Sequence, residues 1–316
     1  MTDRLPHLAF VFPGQGSQSL GMLADMAAAH HEVTATFDQA SKVLGFDLWN
    51  LVQSGPEAEL NRTENTQPAL LTAGVALWRV WESRKGPRPA WLAGHSLGEY
   101  TALVCAGALD FEAAVALVAE RGRLMQEAVP VGAGAMAAVL GLDDQAVGEV
   151  CQSAAQGEVV EPVNFNAPGQ VVIAGHRQAV ERAMAGAKER GASRVLSLPV
   201  SVPSHCALMK PAAERLGRRL AEVEIRPPAI PVLHNVDVTS HGKPEAIRQA
   251  LVAQLYNPVR WVEIIQTLAN RGVALGVECG PGKVLAGLNK RIDRKFRTVS
   301  LNDAASLEAA LAASRE

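Results

Sequence analysis

Hydrophobic residues along the chain fall into short unbroken runs separated by longer stretches of helical periodicity. Leu8-Ala9-Phe10-Val11-Phe12 and Ala90-Trp91-Leu92-Ala93 are apolar throughout and short, which predicts two buried strands. Between them, residues 21–44 and 47–61 read as helices. Residues 65–83 read as a long apolar-rich helix lying beneath a sheet. The stretch before it, Thr63-Glu64-Asn65-Thr66-Gln67-Pro68, holds cap-type residues and a proline near the first turn. After the second strand, 99–106 reads as a helix closed by Gly107. A further helix at 111–129 carries Glu120, Arg121, Arg123, Gln126 and Glu127 among alanines, valines and leucines.

The pattern then changes. Residues 134–141, 159–164, 170–174 and 194–198 read as strands, and 143–155 and 177–190 as helices. That order is βαββαβ, a split βαβ arrangement of the ferredoxin-like kind. It predicts a small domain inserted at 132–200 within a large domain made of 1–131 and 201–316. Pro199-Val200-Ser201-Val202-Pro203-Ser204-His205 reads as the returning loop. Helices follow at 206–224, 243–256, 259–271, 283–292 and 303–314, and strands at 231–235, 273–277 and 297–301. Strands alternating with helices imply a mainly parallel sheet. The expected fold class is α/β, an α/β-hydrolase-like large domain with an inserted ferredoxin-like small domain.

Composition narrows the function. The chain has 316 residues, 48% of them hydrophobic, enough for a substantial core. A net charge of −2 and only 4% aromatic residues argue against nucleic acid as a partner. No apolar run approaches the ~18 residues that span a membrane. Met1-Thr2-Asp3-Arg4-Leu5-Pro6 does not read as a signal peptide. Cys105, Cys151, Cys206 and Cys279 show no paired spacing, which suggests reduced thiols, a cytoplasmic protein and no metal site.

The candidate chemistry centres on Gly94-His95-Ser96-Leu97-Gly98, between the second strand and its helix. Strand, sharp turn and helix make the setting of a nucleophile elbow, with the serine lifted clear of the sheet at a helix N-terminus. Two phosphate-loop look-alikes fail. Gly14-Gln15-Gly16 lacks the third glycine, where Ser19 stands. Gly280-Pro281-Gly282-Lys283 lacks the leading glycine, replaced by Val277, and the hydroxyl, replaced by Val284. The first loop reads instead as a tight turn presenting Gln15. A serine hydroxyl needs a base. Among eight histidines, His205 lies in the loop at the domain junction and is the expected base, with His234 the alternative. His95 adjoins the serine, but its side chain should diverge from it. No acid presents itself to orient the imidazole. A backbone carbonyl or an amide such as Gln254 would serve, since a neutral acceptor still fixes the tautomer.

Motifs spread almost end to end carry a more specific resemblance. They are Phe12-Pro13-Gly14-Gln15-Gly16-Ser17-Gln18, Gly94-His95-Ser96-Leu97-Gly98-Glu99-Tyr100, Arg121-Gly122-Arg123-Leu124-Met125-Gln126, Gly134-Ala135-Met136, Asn166-Ala167-Pro168-Gly169-Gln170, Val202-Pro203-Ser204-His205 and Gln254-Leu255-Tyr256-Asn257-Pro258-Val259. In these the chain resembles the malonyl-CoA:acyl carrier protein transacylases of type II fatty acid synthesis and the acyltransferase domains of polyketide synthases. The resemblance implies a ping-pong transfer through a malonyl ester on Ser96, with His205 as base and acid. It implies an oxyanion hole from the backbone N–H groups of Gln15 and Leu97, and the Gln254 carbonyl orienting His205. It also implies that Arg121 binds the malonyl carboxylate and that His95 and Asn166 line the substrate pocket. Its partners would be acyl carrier protein and a coenzyme A thioester, with no cofactor, no metal, no nucleic acid and no membrane, and the enzyme a monomer. From the residues alone, Arg121 reads first as an ordinary helix-surface residue paired with Glu120 or Glu127, and only the motif match favours the carboxylate-binding role. The competing functions are a serine thioesterase or esterase and a non-catalytic carrier-binding module. The malonyl-specific reading expects a basic surface for the acidic carrier, at Arg215, Arg218 and Arg219 or at Lys290, Arg291, Arg294, Lys295 and Arg297.

Overall fold

The computed structural model describes residues 4–199 and 202–316. The expected boundary between residues 200 and 201 and the N-terminal Met1–Asp3 lie outside the described residues. Strand β1 (Arg4–Phe12) is followed by four helices, α1 (Ala24–Ala29), α2 (His31–Leu44), α3 (Leu48–Ser54) and α4 (Glu57–Leu60). The long helix α5 (Thr63–Ser83) leads into β2 (Arg88–Gly94), α6 (Gly98–Cys105) and α7 (Phe111–Ala128). Next come β3 (Gly134–Leu140), α8 (Asp144–Ala155), β4 (Val160–Ala167), β5 (Gln170–His176), α9 (Arg177–Glu189) and β6 (Arg194–Ser197). The chain then runs through α10 (Lys210–Glu222), β7 (Val232–Leu233), α11 (Pro244–Gln254), α12 (Trp261–Asn270), β8 (Leu275–Cys279), α13 (Val284–Ile292), β9 (Arg297–Leu301) and α14 (Ala304–Ala313).

Five strands pair in the order β7-β2-β1-β8-β9, all parallel. The buried half of β1, residues 8–12, shows why its sequence has no polar interruption. Leu8, Phe10 and Phe12 pack with α5 and its neighbours on one face. Ala9 and Val11 pack with Trp261, Ile264 and Leu285 from α12 and α13 on the other. A central parallel strand is dry on both faces, so alternation disappears. Helix α5 is buried almost all round, from Thr66 to Leu77, as a helix packed on several sides must be.

The other four strands form a separate antiparallel sheet, β4-β5-β3-β6. Its βαββαβ order and strand arrangement are ferredoxin-like. One face is covered by α8 and α9 through Val147, Val150, Val180 and Ala183. The other turns Met136, Val172 and Ala174 toward Cys206 and the parallel-sheet part.

Several expected elements differ in extent. The helix expected over 21–44 is two, broken at His30, whose extended backbone ends α1 and caps α2. That over 47–61 breaks at Gly55-Pro56, because proline at 56 offers no N–H to continue the first helix. A 3₁₀ turn, Ala207–Met209, precedes α10, so 206–224 is not one α-helix. Strand β7 has only two residues, and His234 and Asn235 lie past its end.

Candidate active site

The turn between β2 and α6 is built on close backbone approach. A Cβ on Gly94 would overlap the carbonyl of Gly98, and one on Gly98 would overlap the carbonyl of Phe12. Between them Ser96 adopts a left-handed backbone with φ 51°. Such a conformation costs a non-glycine residue about 1–3 kcal/mol and persists only where the surroundings impose it. The Ser96 N–H donates to Asn235 Oδ1 at 2.8 Å, and the Ser96 carbonyl accepts from Gln254 Nε2 at 3.0 Å.

His205 is buried and also left-handed, with φ 66°. Its Nε2 lies 2.7 Å from Ser96 Oγ and its Nδ1 2.7 Å from the Gln254 carbonyl oxygen. A carbonyl only accepts, so Nδ1 carries the proton. The Nε2 lone pair therefore faces the serine hydroxyl, which donates to it. Burial, and next the nearby Arg121 charge, pull the His205 pKa down to about 3, with the Gln254 hydrogen bond acting the other way. The imidazole is thus neutral and able to accept a proton. His234, the alternative base, pairs instead with Glu99 at 2.7 Å.

Arg121 is 1% exposed, which excludes a surface residue paired with Glu120 or Glu127. Those two acids bond Arg123 instead. Arg121 Nη1 donates to Gln67 Oε1 at 2.7 Å, and Nη2 donates to Gln254 Oε1 at 2.9 Å and to Ser96 Oγ at 3.4 Å. Its Nε finds no partner among the described residues, nor does any carboxylate pair with it. Burial lowers its pKa, while Tyr100 and Glu99 act to raise it. A buried cation whose hydrogen-bond partners are all neutral is a site for an incoming anion, since leaving a buried charge uncompensated is costly.

A cavity of about 180 Å³ joins these groups, with Ser96, His205 and Arg121 on one side and Met136, Asn166 and Val172 of the antiparallel sheet on the other. Gln15 and Leu97 also line it. Among the described residues neither of their backbone N–H groups donates a hydrogen bond within the protein. Leu97 immediately precedes α6, whose N-terminal dipole favours negative charge there. His95 Nε2 lies 2.8 Å from Asn166 Oδ1, turned away from Ser96, and burial lowers its pKa. All eight sequence-predicted site residues thus meet at this cavity or directly behind it.

Sequence reasoning missed Asn235, Gln67 and the role of Glu99. Asn235 had a signal: it follows a strand of a parallel sheet, and such ends face the ligand crevice. Gln67 had none, because α5 is buried on all sides and shows no polar face for contrast. Among the described residues no group of histidine, cysteine and acidic side chains is arranged to hold a metal. Nor is any helix long and apolar enough to cross a membrane.

Comparison with known proteins agrees along the whole chain. Residues 9–305 match the acyl transferase domain family. The malonyl CoA-acyl carrier protein transacylase of Escherichia coli K12 is 59% identical over 307 residues, covering 97% of this chain and 99% of that protein. The crystal structure of an acyl carrier protein S-malonyltransferase from Vibrio cholerae superposes with a TM-score of 0.94 at 59% identity, covering 96% of this chain and 99% of that one. A malonyl-transacylase solved in complex with its type II PKS acyl-carrier protein gives a TM-score of 0.96 at 58% identity, covering 97% and 99% of the two chains. With a buried guanidinium beside a serine–histidine pair and this breadth of likeness, the chain belongs to the acyl transferase family, among the malonyl CoA-acyl carrier protein transacylases.

Proposed function

We propose that the protein moves a malonyl group from malonyl-CoA to the phosphopantetheine thiol of an acyl carrier protein, through an ester on Ser96. The buried guanidinium of Arg121, 3.4 Å from Ser96 Oγ and without an anionic partner among the described residues, carries this reading over a general esterase. It receives the free malonyl carboxylate. Ser96 Oγ attacks the thioester carbon as its proton passes to His205 Nε2. The N–H groups of Gln15 and Leu97 take the developing oxyanion. Collapse expels the coenzyme A sulfur, which takes the proton from His205, and leaves malonyl-Ser96. In the second half His205 accepts the carrier thiol proton, sulfur attacks the ester, and Ser96 leaves as the hydroxyl. Atoms and charges balance without a cofactor, and we propose none. Four unpaired cysteines fit a reducing, cytoplasmic setting.

Arg121→Ala tests the substrate. Truncating one partner of a buried charge pair costs about 2–5 kcal/mol, so kcat/KM for malonyl-CoA is expected to fall roughly 30- to 5000-fold. Acetyl-CoA is expected to lose little. Arg121→Lys restores malonyl transfer only in part, because a point charge cannot reproduce two parallel bonds. Equal losses for both acyl groups would overturn the assignment.

The carrier surface can be narrowed between the two basic clusters. Arg215 is neutralised by Glu127 at 2.7 Å, and Arg219 by Glu120 and Glu222 at 3.4 and 2.8 Å. Lys290, Arg291 and Arg294 on and beyond α13 instead border a groove against Gly141, Pro168 and Ser193 of the antiparallel-sheet part. Among the described residues, Arg291 bonds only the neutral Gln170 amide, at 2.6 Å. Lys290→Glu with Arg294→Glu is expected to raise the carrier KM about tenfold or more at low salt. The effect shrinks near 0.15 M salt, where screening acts over ~8 Å. Malonylation by coenzyme A is expected to change less. A carrier KM unaltered by both reversals would place docking elsewhere.

A further inference from the structure

Glu99 stands in the first turn of α6, fully buried, and the transfer chemistry above makes no use of it. Its carboxylate accepts three hydrogen bonds, from His234 Nδ1 at 2.7 Å, the Asn235 backbone N–H at 2.9 Å and Gln254 Nε2 at 2.8 Å. All three donors are themselves buried. Two of them reach onward to the reacting groups. Asn235 accepts from the Ser96 N–H at 2.8 Å and donates through Nδ2 to the Gly94 carbonyl at 2.7 Å. Its side chain therefore grips both ends of the strained turn. Gln254 holds His205 Nδ1 through its backbone carbonyl at 2.7 Å, and Arg121 Nη2 through Oε1 at 2.9 Å.

We propose that Glu99 is a positioning residue for the transfer reaction, holding the Ser96 turn through Asn235 and both the His205 imidazole and the Arg121 guanidinium through Gln254. The proposal rests on the reading of Ser96, His205 and Arg121 given above. The geometry explains why the group is a carboxylate. Three donors converge on it, and a carboxylate accepts from all of them. It also explains how one amide can serve two masters. With Nε2 fixed on Glu99, the Gln254 amide must aim Oε1 at the arginine, so its orientation is set and not shared between two flips.

The same contacts define a conservative variant. In Glu99→Gln the new NH₂ can face His234, whose proton can move from Nδ1 to Nε2, an atom with no hydrogen-bond partner among the described residues. Asn235 and Gln254 then keep their acceptor. Glu99→Ala keeps neither.

The test is the single-turnover rate of Ser96 acylation by malonyl-CoA and by acetyl-CoA, on Glu99→Ala, Glu99→Gln, Asn235→Ala and Ser96→Ala. Each protein is checked for cooperative thermal unfolding. Displacement of reacting groups by about 1 Å costs on the order of 10²-fold, so Glu99→Ala is expected to lose about that much with both donors. Because the Arg121 arm also loosens, the malonyl-to-acetyl ratio is expected to fall about tenfold further, near the ~1.4 kcal/mol of a weakened charge contact. Asn235→Ala removes the serine arm and from Gln254 only a long 3.5 Å contact, so both rates fall and the ratio changes less than in Glu99→Ala. Glu99→Gln is expected within about fivefold of the parent, since placement survives. A folded Glu99→Ala at the parental rate overturns the proposal, as does a Glu99→Gln as slow as the alanine variant. An unchanged ratio in Glu99→Ala removes the arginine arm. If Glu99→Ala does not fold, an Asn235→Ala at the parental rate overturns the proposal by itself. An acylated Ser96→Ala would instead sink the underlying reading of the serine, so the two failures are distinguishable.

Discussion

Ser96→Ala is expected to leave a folded protein that takes up no malonyl group. The parent incubated with malonyl-CoA gains one malonyl unit by intact mass, and the variant gains none. The side chain contributes little to the fold. It loses one hydrogen bond to His205 and a long one from Arg121, about 1 kcal/mol each, and alanine at φ 51° is strained no more than serine. Turnover is a different matter. Among the described residues no other nucleophile bonds His205 Nε2, so the loss is expected near 10⁵–10⁶-fold, the scale seen when an activated serine is removed. A malonyl adduct on the variant would mean that another side chain carries the acyl group.

His205→Ala is expected to lower kcat by about 10³- to 10⁵-fold, combining lost proton transfer with an unactivated hydroxyl. A loss under tenfold would move the base elsewhere. The same variant tests the state of the imidazole through stability. In the folded parent His205 has a pKa of about 3, against about 6.5 in an unfolded chain. Between those values the unfolded chain binds a proton that the folded one refuses. This group's share of stability is therefore full above pH 6.5 and is lost as pH falls toward 3. Removing the imidazole removes that loss. The Tm of His205→Ala is expected to decline less than the parent's between pH 6.5 and 4. A parallel decline would mean that His205 titrates normally in the fold.

Much of this site was written in the order of residues, and the reasons are local. The elbow was legible because two glycines, a serine and a short apolar run leave the backbone few alternatives. Arg121 and Gln254 were more legible than they looked. Arg121 sits four residues from both Leu117 and Met125 on the buried stripe of α7, whereas Arg123 lies off it. Gln254 likewise continues the Ile247, Ala250, Leu251 stripe of α11. A charge or an amide on an apolar stripe is buried by geometry, and that marks a site. What could not be read depended on distant parts of the chain. The break at His30 leaves no trace in periodicity, since Met26, Val33, Phe37 and Ala40 all belong to one core. The Glu99 contacts join residues 135 to 155 positions apart, and no short-range pattern encodes them. The ion pairs of Arg215 with Glu127 and of Arg219 with Glu120 were hidden for the same reason, because those acids stand on another helix.

The enclosure that holds Arg121 beside His205 ties the choice of acyl group to the strength of the base. The guanidinium opposes a second positive charge on the imidazole. A malonyl carboxylate bound to Arg121 as proposed would cancel that opposition and make His205 a better proton acceptor at the moment serine must be deprotonated. A neutral acyl group brings no such charge, and the imidazolium must form facing an uncompensated cation. On the proposed role of Arg121, discrimination against acetyl groups is expected in the acylation rate constant as well as in binding.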